Sequence, residues 1–315
     1  MTGAPAAIRT DGLTKYYGPV IGVEDLSLDV AAGEVYGFLG ANGAGKTTTI
    51  RLLVDLLRPS RGRALVLGVD CQRDSLAARR LIGYLPGDLP IYPDLTAADY
   101  LVYLSTLDSR PVSQAHLRRL FDRFDVSEVD RRRRLRDQSH GMKQKIGIIQ
   151  ALMAQPPVVI LDEPTAGLDP LMVQAFRDTV AELKAEGRTT VFLSSHVLSE
   201  VETMCDRIGL IRGGRIVTTG TIEDLKRDAT RRVVITFSSP AAPASPLPTG
   251  ATLRTAGVAE WVIDMRGPLG PLVQALAGLP VQDVVVEPFK LEDYIAPFYA
   301  EGADASRGLT GRSNQ

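Results

Sequence analysis

The hydrophobic positions in the first two thirds of the chain alternate between short apolar runs and segments of helical periodicity. Strands are predicted at 34–40, 81–85, 158–161, 190–194, 208–211 and 215–218, and helices at 46–57, 96–107, 117–124 and 171–185. The run at 158–161, bounded by Pro157 and Asp162, is apolar throughout, which is typical of a strand buried on both faces. The alternation predicts an α/β fold with a mostly parallel sheet covered by helices.

The pattern changes after Lys226. Beyond it, strands are predicted at 233–237, 261–264 and 281–286, and a short helix at 269–277. Residues 238–250 contain four prolines and predict a loop. We therefore expect a first domain over 1–226, a small accessory α+β domain over 227–300 and a disordered polar tail over 301–315.

Composition and charge exclude several classes of protein. With 315 residues, 44% of them hydrophobic, the chain can bury a sizeable core without disulfides or metals. Cys71 and Cys205 are too few for a disulfide framework or a zinc site, so each is expected to be a buried thiol. The net charge of −1 gives no overall field for nucleic acid. The basic run 131–134 lies between Asp130 and Asp137 and is predicted to be a solvated helical face.

Neither a secretory leader nor a membrane span is predicted. Residues 1–10 lack the basic start and apolar run of a signal peptide. The most apolar stretch, 146–161, is interrupted by Gln150, Gln155 and two prolines, whereas a span needs about 18 uninterrupted apolar residues. We expect that the chain does not cross a membrane by itself.

A phosphate-binding loop is predicted at 40–47, Gly-Ala-Asn-Gly-Ala-Gly-Lys-Thr, which fits G-x-x-x-x-G-K-[ST] between a strand and a helix. The glycines let backbone N–H groups curl around a phosphate, and the helix N-terminus adds partial positive charge. Lys46 is expected to reach the β- and γ-phosphates, and the Thr47 hydroxyl to coordinate Mg²⁺. A glycine-rich turn with an unpaired surface lysine is the alternative that this context disfavours.

An acidic pair, Asp162 and Glu163, follows the buried run at 158–161. In parallel sheets, ligands bind at the carboxyl ends of the strands, where this pair is expected. Asp162 suits the metal, held directly or through water, and Glu163 suits the general base that polarises the attacking water. Two solvated acids at a strand end are the alternative.

With these motifs in place, residues 8–226 resemble the ATPase subunit of an ABC transporter. Residues 138–142, Gln-Ser-His-Gly-Met, stand where that family carries its LSGGQ signature, with His140 and Met142 departing from the consensus. Residues 166–169, Ala-Gly-Leu-Asp, resemble the D-loop, and His196 matches the switch histidine that contacts the γ-phosphate. The resemblance implies that Ser139 and Gly141 contact ATP bound to a second subunit.

The resemblance implies a P-loop ABC-type ATPase domain with a helical subdomain at about 89–154 and a β-subdomain. It also implies ATP and Mg²⁺ as cofactors, a second copy of the chain in an ATP-sandwich dimer, and a separate membrane permease. The expected location is therefore the cytoplasmic face of the cell membrane. Residues expected to contact ATP are Tyr17, Gly40, Ala41, Asn42, Gly43, Ala44, Gly45, Lys46, Thr47, Thr48, Ser139, Gly141 and Asp169.

Three further positions refine the family resemblance. Tyr17 stands where the family places a ring that stacks on adenine, with Tyr16 as the alternative. The family usually has glutamine, touching Mg²⁺, at the position of Gly87, so either the following Asp88 or water is expected to complete the metal shell. Residues 287–294 resemble an element that closes the C-terminal extension of drug- and polysaccharide-exporter ATPases.

The leading hypothesis is an ATPase that powers an exporter of drug-like or other amphipathic molecules. The alternative is a soluble ABC-type ATPase acting on ribosomes or DNA. Ribosome-acting relatives usually carry two nucleotide domains, and DNA-repair relatives insert long coiled coils, neither of which this sequence predicts. A P-loop kinase or GTPase would not explain the signature, the D-loop and His196 together.

Overall fold

The computed structural model describes residues 6–89, 92–107, 110–228, 230–240, 247–287, 291 and 295. The chain divides into two compact units, the first ending at Gly220 and the second beginning at Thr221. The strands of the first unit are β1 (Ala6–Tyr17), β2 (Val20–Ala31), β3 (Val35–Leu39), β4 (Arg61–Val66), β5 (Val69–Asp70), β6 (Ile82–Leu85), β7 (Val158–Asp162), β8 (Thr190–Ser195), β9 (Arg207–Arg212) and β10 (Arg215–Thr221). Its helices are α1 (Lys46–Leu53), α2 (Ser75–Arg80), α3 (Ala97–Leu107), α4 (Gln114–Arg123), α5 (Glu128–Arg132), α6 (His140–Leu152), α7 (Pro170–Glu186) and α8 (Leu198–Met204).

A six-stranded sheet with strand order β10-β9-β3-β8-β7-β6 forms the centre of the first unit. The pairs β3/β8, β3/β9, β6/β7 and β7/β8 are parallel, and every residue of β3, β7 and β8 is buried. Pairing places Leu39 beside Ser195, and Asp162 beside Ser194. The segments that follow β3, β7 and β8 therefore meet at one edge of the sheet.

An antiparallel sheet with order β2-β1-β4-β5 lies beside this core. Its strands β1 and β2 were not predicted, because bulges between Thr10 and Leu13 and near Tyr16 interrupt the period-two alternation. Buried residues of both sheets and of α1 form one hydrophobic cluster, which includes Leu26, Ile50 and Phe192. Helix α1, which follows the predicted phosphate loop, is thus packed in one core with residues of both sheets.

The predicted helix over 46–57 is shorter than expected and ends at Leu53. Asp55 adopts a left-handed backbone conformation (φ 53°), which ends the helix, and the N–H groups of Leu56 and Leu57 turn back to the carbonyl of Arg51. The predicted amphipathic pattern of α4 is confirmed, since Leu117, Leu120 and Phe121 are buried. Cys71 and Cys205 are buried free thiols, as expected.

The second unit contains α9 (Ile222–Asp228), α10 (Gly270–Leu276) and strands β11 (Thr230–Phe237), β12 (Ala251–Ala256), β13 (Glu260–Arg266) and β14 (Val281–Val286). These strands form an antiparallel sheet of order β12-β13-β11-β14, whose core includes Trp261 against Phe237 and Leu272 of α10. The predicted tail over 301–315 lies outside the described residues, and so does most of the 287–294 element, of which only Glu287 and Leu291 are described.

Gly83→Ala should destabilise the first unit. A Cβ at Gly83 of β6 would lie 2.7 Å from Pro156 and closer still to the Ala151 carbonyl oxygen, so backbone must move. We expect a loss of about 1–3 kcal/mol in the free energy of unfolding, typical of an overpacked site. Urea unfolding measures it. Gly278→Ala, whose Cβ meets nothing within 4 Å, is the control, and equal stability of the two variants would contradict the described packing.

Candidate functional site

The phosphate loop joins β3 to α1, and its backbone conformation requires glycine at two points. Gly43 and Gly45 have φ angles of 79° and 114°, in the left-handed region that favours glycine. A Cβ at Gly45 would also lie 2.7 Å from the carbonyl oxygen of Gly22. These glycines let the loop curl, so that the N–H groups at the start of α1 are available to an anion.

Lys46 is held inside this loop. Its side chain is 6% exposed, and its Nζ donates to the carbonyl oxygens of Gly40 (2.7 Å) and Ala41 (3.4 Å). Nζ also forms an ion pair with Glu163 Oε1 at 3.2 Å. Thr47 and Thr48 are half-buried on the first turn of α1. The predicted phosphate-binding lysine and the predicted general base are therefore in direct contact.

Asp162 is buried at the end of β7 and has one carboxylate oxygen without a partner. Its Oδ1 accepts a hydrogen bond from Ser194 Oγ (2.6 Å), whereas Oδ2 has no hydrogen-bond partner within the described structure. Burial, together with the negative charge of Asp162, raises the pKa of Tyr84 to about 12. A buried carboxylate oxygen without a donor is a suitable cation ligand, because a bound cation would compensate the cost of its desolvation.

Glu163 occupies a strained position between the phosphate loop and β8. Its φ of 51° is unusual for a residue other than glycine, and its N–H donates to Ser194 Oγ (3.1 Å). While Oε1 contacts Lys46, Oε2 accepts from His196 Nδ1 at 2.7 Å. Lys46, Glu163 and His196 thus form a continuous row of contacts across the ends of β3, β7 and β8.

The predicted signature and D-loop segments lie against each other. Ser139 caps α6 by accepting from the Met142 N–H (3.1 Å), and Asp169 caps α7 by accepting from the Met172 N–H (2.9 Å). A Cβ at Gly141 would lie 2.7 Å from the Gly167 carbonyl oxygen. The close approach of these two segments explains the glycine at 141.

Two residues of the site were not predicted from the sequence. Gln144 of α6 donates its Nε2 to the carbonyl oxygens of Glu163 (3.1 Å) and Pro164 (3.0 Å), which ties the signature helix to the acidic pair. Ser194 bonds both Asp162 and Glu163. Only its place at the end of a predicted strand, next to the two acids, could have indicated this role.

Comparisons with known proteins agree with this geometry. The pattern of the family described as "ABC transporter" matches residues 23–166. The daunorubicin resistance ATP-binding protein DrrA3 of Streptomyces coeruleorubidus is 36% identical over 90% of this chain and 92% of its own length. The bacitracin transport ATP-binding protein BcrA of Bacillus licheniformis is 36% identical over 70% of this chain and 71% of its own length. The chain belongs to the ABC transporter ATP-binding proteins.

Solved structures give the same fold. A structure titled as the ATP-binding subunit of an ABC transporter superimposes with a TM-score of 0.64 and 32% identity, covering 70% of this chain and 92% of that one. The dimeric cassette MJ0796, at 20% identity and a TM-score of 0.63 over 68% of this chain, shares the fold. The predicted ABC-type fold, exporter-type ATPase family and ATPase activity are therefore confirmed.

The two tyrosines proposed for adenine have different surroundings in this ATPase. The Tyr16 hydroxyl forms two hydrogen bonds within the first unit: it donates to Glu24 (3.0 Å) and accepts from Arg61 (2.9 Å). Tyr17 is 44% exposed. Gly22 lies between its ring and α1, since a Cβ at Gly22 would be 2.7 Å from the Tyr17 ring and 3.2 Å from Thr48 Cγ2. Tyr17, next to the start of α1, is thus the more exposed of the two tyrosines, with Lys15 Nζ lying 5.6 Å from the centroid of its ring.

The position of the usual glutamine is close to Asp162, the predicted metal-binding acid. A Cβ at Gly87 would come 3.3 Å from Asp162 Oδ2, whereas Asp88 is exposed. No cluster of three or more histidine, cysteine or acidic side chains suited to a metal occurs among the described residues, so Asp88 and Asp162 do not form a preassembled cage.

No helix in the described ranges has the length and apolar character to cross a membrane.

Lys46→Ala should abolish tight nucleotide binding, because the variant loses the one cation inside the phosphate loop. Loss of charge-assisted bonds to phosphate is expected to weaken ATP affinity at least about tenfold. Equilibrium binding of a fluorescent ATP analogue measures the change. Lys184→Ala, which removes a lysine paired with Asp206, is the control and should bind normally. Unchanged affinity in Lys46→Ala would contradict the assignment of the loop.

Proposed function

We propose that this ATPase powers an exporter of drug-like or other amphipathic molecules through a separate permease. The observation that carries the proposal is the row Lys46–Glu163–His196 at the edge where β3, β7 and β8 end. The printed names of the relatives, bacitracin transport and daunorubicin resistance, support a drug-like cargo. No described contact favours the alternative of an ATPase acting on ribosomes or DNA.

In the proposed site, residues 40–48 hold the phosphates of ATP and Tyr17 stacks on adenine. Lys46 reaches the β- and γ-phosphates from inside the loop, and Glu163 accepts a proton from the attacking water. His196 holds the Glu163 carboxylate through Oε2 and stands beside the γ-phosphate. The left-handed backbone at Glu163 orients its carboxylate toward Lys46 instead of continuing the direction of β7.

The residues present fit a magnesium ion. Asp162 Oδ2 is buried without a hydrogen-bond partner in the described structure, and the Thr47 hydroxyl supplies a second oxygen. Asp88 or water completes the shell in place of the glutamine absent at Gly87. When bound, Mg²⁺ neutralises charge on the phosphate oxygens.

The proposed active form is a dimer of two chains. Ser139 accepts hydrogen bonds from the N–H groups of Met142 and Lys143, and Gly141 lies against Gly167; none of the hydrogen bonds found within the described ranges joins Ser139 to the phosphate loop. These residues, together with Asp169, are proposed to complete the ATP site of the second chain. The dimeric arrangement of the similarly folded cassette MJ0796 supports this proposal.

An exposed apolar surface on α3 suits the permease. Tyr103 and Leu107, one turn apart on α3, are 41% and 66% exposed, and Tyr103 stacks edge-on against Tyr92. Exposed apolar patches of this kind mark interaction surfaces. Docking of a permease here would place the ATPase at the cytoplasmic face of the membrane.

Residues 1–226 are proposed to form the nucleotide-binding domain, with 89–154 as its helical subdomain and 227–300 as an accessory domain.

Glu163→Gln should stop hydrolysis while keeping ATP bound. Removing a general base typically lowers the rate about 10²- to 10⁴-fold, whereas Lys46 and the loop remain intact. Steady-state phosphate release gives kcat, and gel filtration with ATP shows whether a dimer is trapped. Glu128→Gln changes an exposed glutamate of α5 and should keep full activity. Undiminished hydrolysis in Glu163→Gln would remove Glu163 from its proposed role.

A further inference from the structure

A cavity of about 540 Å³ lies at the edge of the central sheet opposite the ATP site. Its wall includes Pro157, just before β7, and Thr189, just before β8. From there β7 runs five residues to Asp162, a distance of about 16 Å. A molecule in the cavity is therefore too far away to share contacts with ATP.

The size and lining of the cavity suit a small organic molecule. Leu120 of α4, Leu152 of α6 and Leu183 of α7 supply an apolar surface. Ligand sites are typically about 300–1,000 Å³ in volume and mostly apolar, with a few convergent polar groups. Six of the fifteen lining residues are apolar and nine are polar or charged, so the lining suits a ligand that combines a hydrocarbon or aromatic body with a polar head group.

The charged residues that line the cavity favour a ligand with a negative charge. Glu182 pairs with Arg123 at 2.6 Å, and Glu186 pairs with Arg188 at 2.8 Å, so both acids are neutralised. Arg119 also lines the cavity, and within the described part of the chain it forms no ion pair. One uncompensated guanidinium therefore faces the cavity, and guanidinium groups bind carboxylates and sulfonates through paired N–H donors.

His116 contributes a neutral polar group. Its Nε2–H donates to the Leu152 carbonyl oxygen at 3.3 Å, which fixes the tautomer. Burial, opposed in part by this hydrogen bond, lowers the pKa of the imidazole, so the ring is uncharged near neutral pH. The single excess charge of the wall is therefore that of Arg119.

We propose that this cavity is a binding site for an amphipathic organic monoanion, whose apolar body lies on Leu120, Leu152 and Leu183 and whose head group pairs with Arg119.

Two helices connect the cavity to the dimer-forming segments. α6 ends at Leu152 in the cavity wall and begins, about 20 Å away, at the cap residue Ser139. α7 lines the cavity with Glu182 and Glu186 near its end and begins, about 25 Å away, at the cap residue Asp169. A ligand that bridges α4 to both helices would shift the positions of the signature and the D-loop. This effect on ATP hydrolysis rests on the proposed function.

Binding itself is tested on the full chain without nucleotide. The probe is 8-anilinonaphthalene-1-sulfonate, an amphipathic monoanion, titrated by fluorescence and competed with decanoate. Arg119→Glu should weaken probe binding at least about tenfold, because attraction becomes repulsion. Arg118→Glu makes the same change at the adjacent exposed residue, which does not line the cavity, and should leave affinity within about twofold.

Leu183→Trp fills the cavity while retaining every charge, and should also weaken binding. If the Arg119→Glu, Arg118→Glu and Leu183→Trp variants all bind the probe with similar affinity, the proposed site is overturned. Failure of decanoate to compete with the probe would also overturn it. A change in the ATPase rate with decanoate, absent in Arg119→Glu, supports the coupling to α6 and α7. Binding without any change in rate would overturn that coupling but not the site.

Discussion

The ion pair between Lys46 and Glu163 is the interaction on which the rest of the site depends. It joins two segments that are far apart in sequence, and it forms only because parallel pairing brings the ends of β3, β8 and β7 to one edge. The lysine is almost fully buried, so it needs an anionic partner to offset the loss of hydration. Glu163 provides that partner.

The same ion pair explains how binding and hydrolysis are linked. In the proposed site, a triphosphate in the loop would bring negative charge to Lys46 and compete with Glu163 for it. Glu163 would then be held by His196 and by the hydrogen bond from its N–H to Ser194 Oγ, and the proposed role of its carboxylate is to accept a proton from water. Gln144 ties the backbone at Glu163 to α6, so the signature helix is mechanically connected to the acid.

The strongest local patterns in the sequence predicted most of the central sheet and the site. The all-apolar run ending at Asp162 and the glycines before Lys46 located both halves of the site, since the sequence around each pattern favours one structure over its alternative. Strands β1 and β2 were missed because their bulges hide the alternation. Gln144 and Ser194 were missed because their roles arise from tertiary contacts that no local pattern records.

The central claim is that each ATP site takes Lys46 and Glu163 from one chain and Ser139 from the other. Lys46→Ala and Ser139→Arg are each expected to be inactive alone, since every site in either homodimer is broken. In a mixture, some dimers combine an intact phosphate loop from one variant with an intact signature from the other. The most direct measurement is the ATPase rate of equimolar mixtures. We expect activity well above the sum of the separate variants, and a strictly additive rate would contradict the shared site.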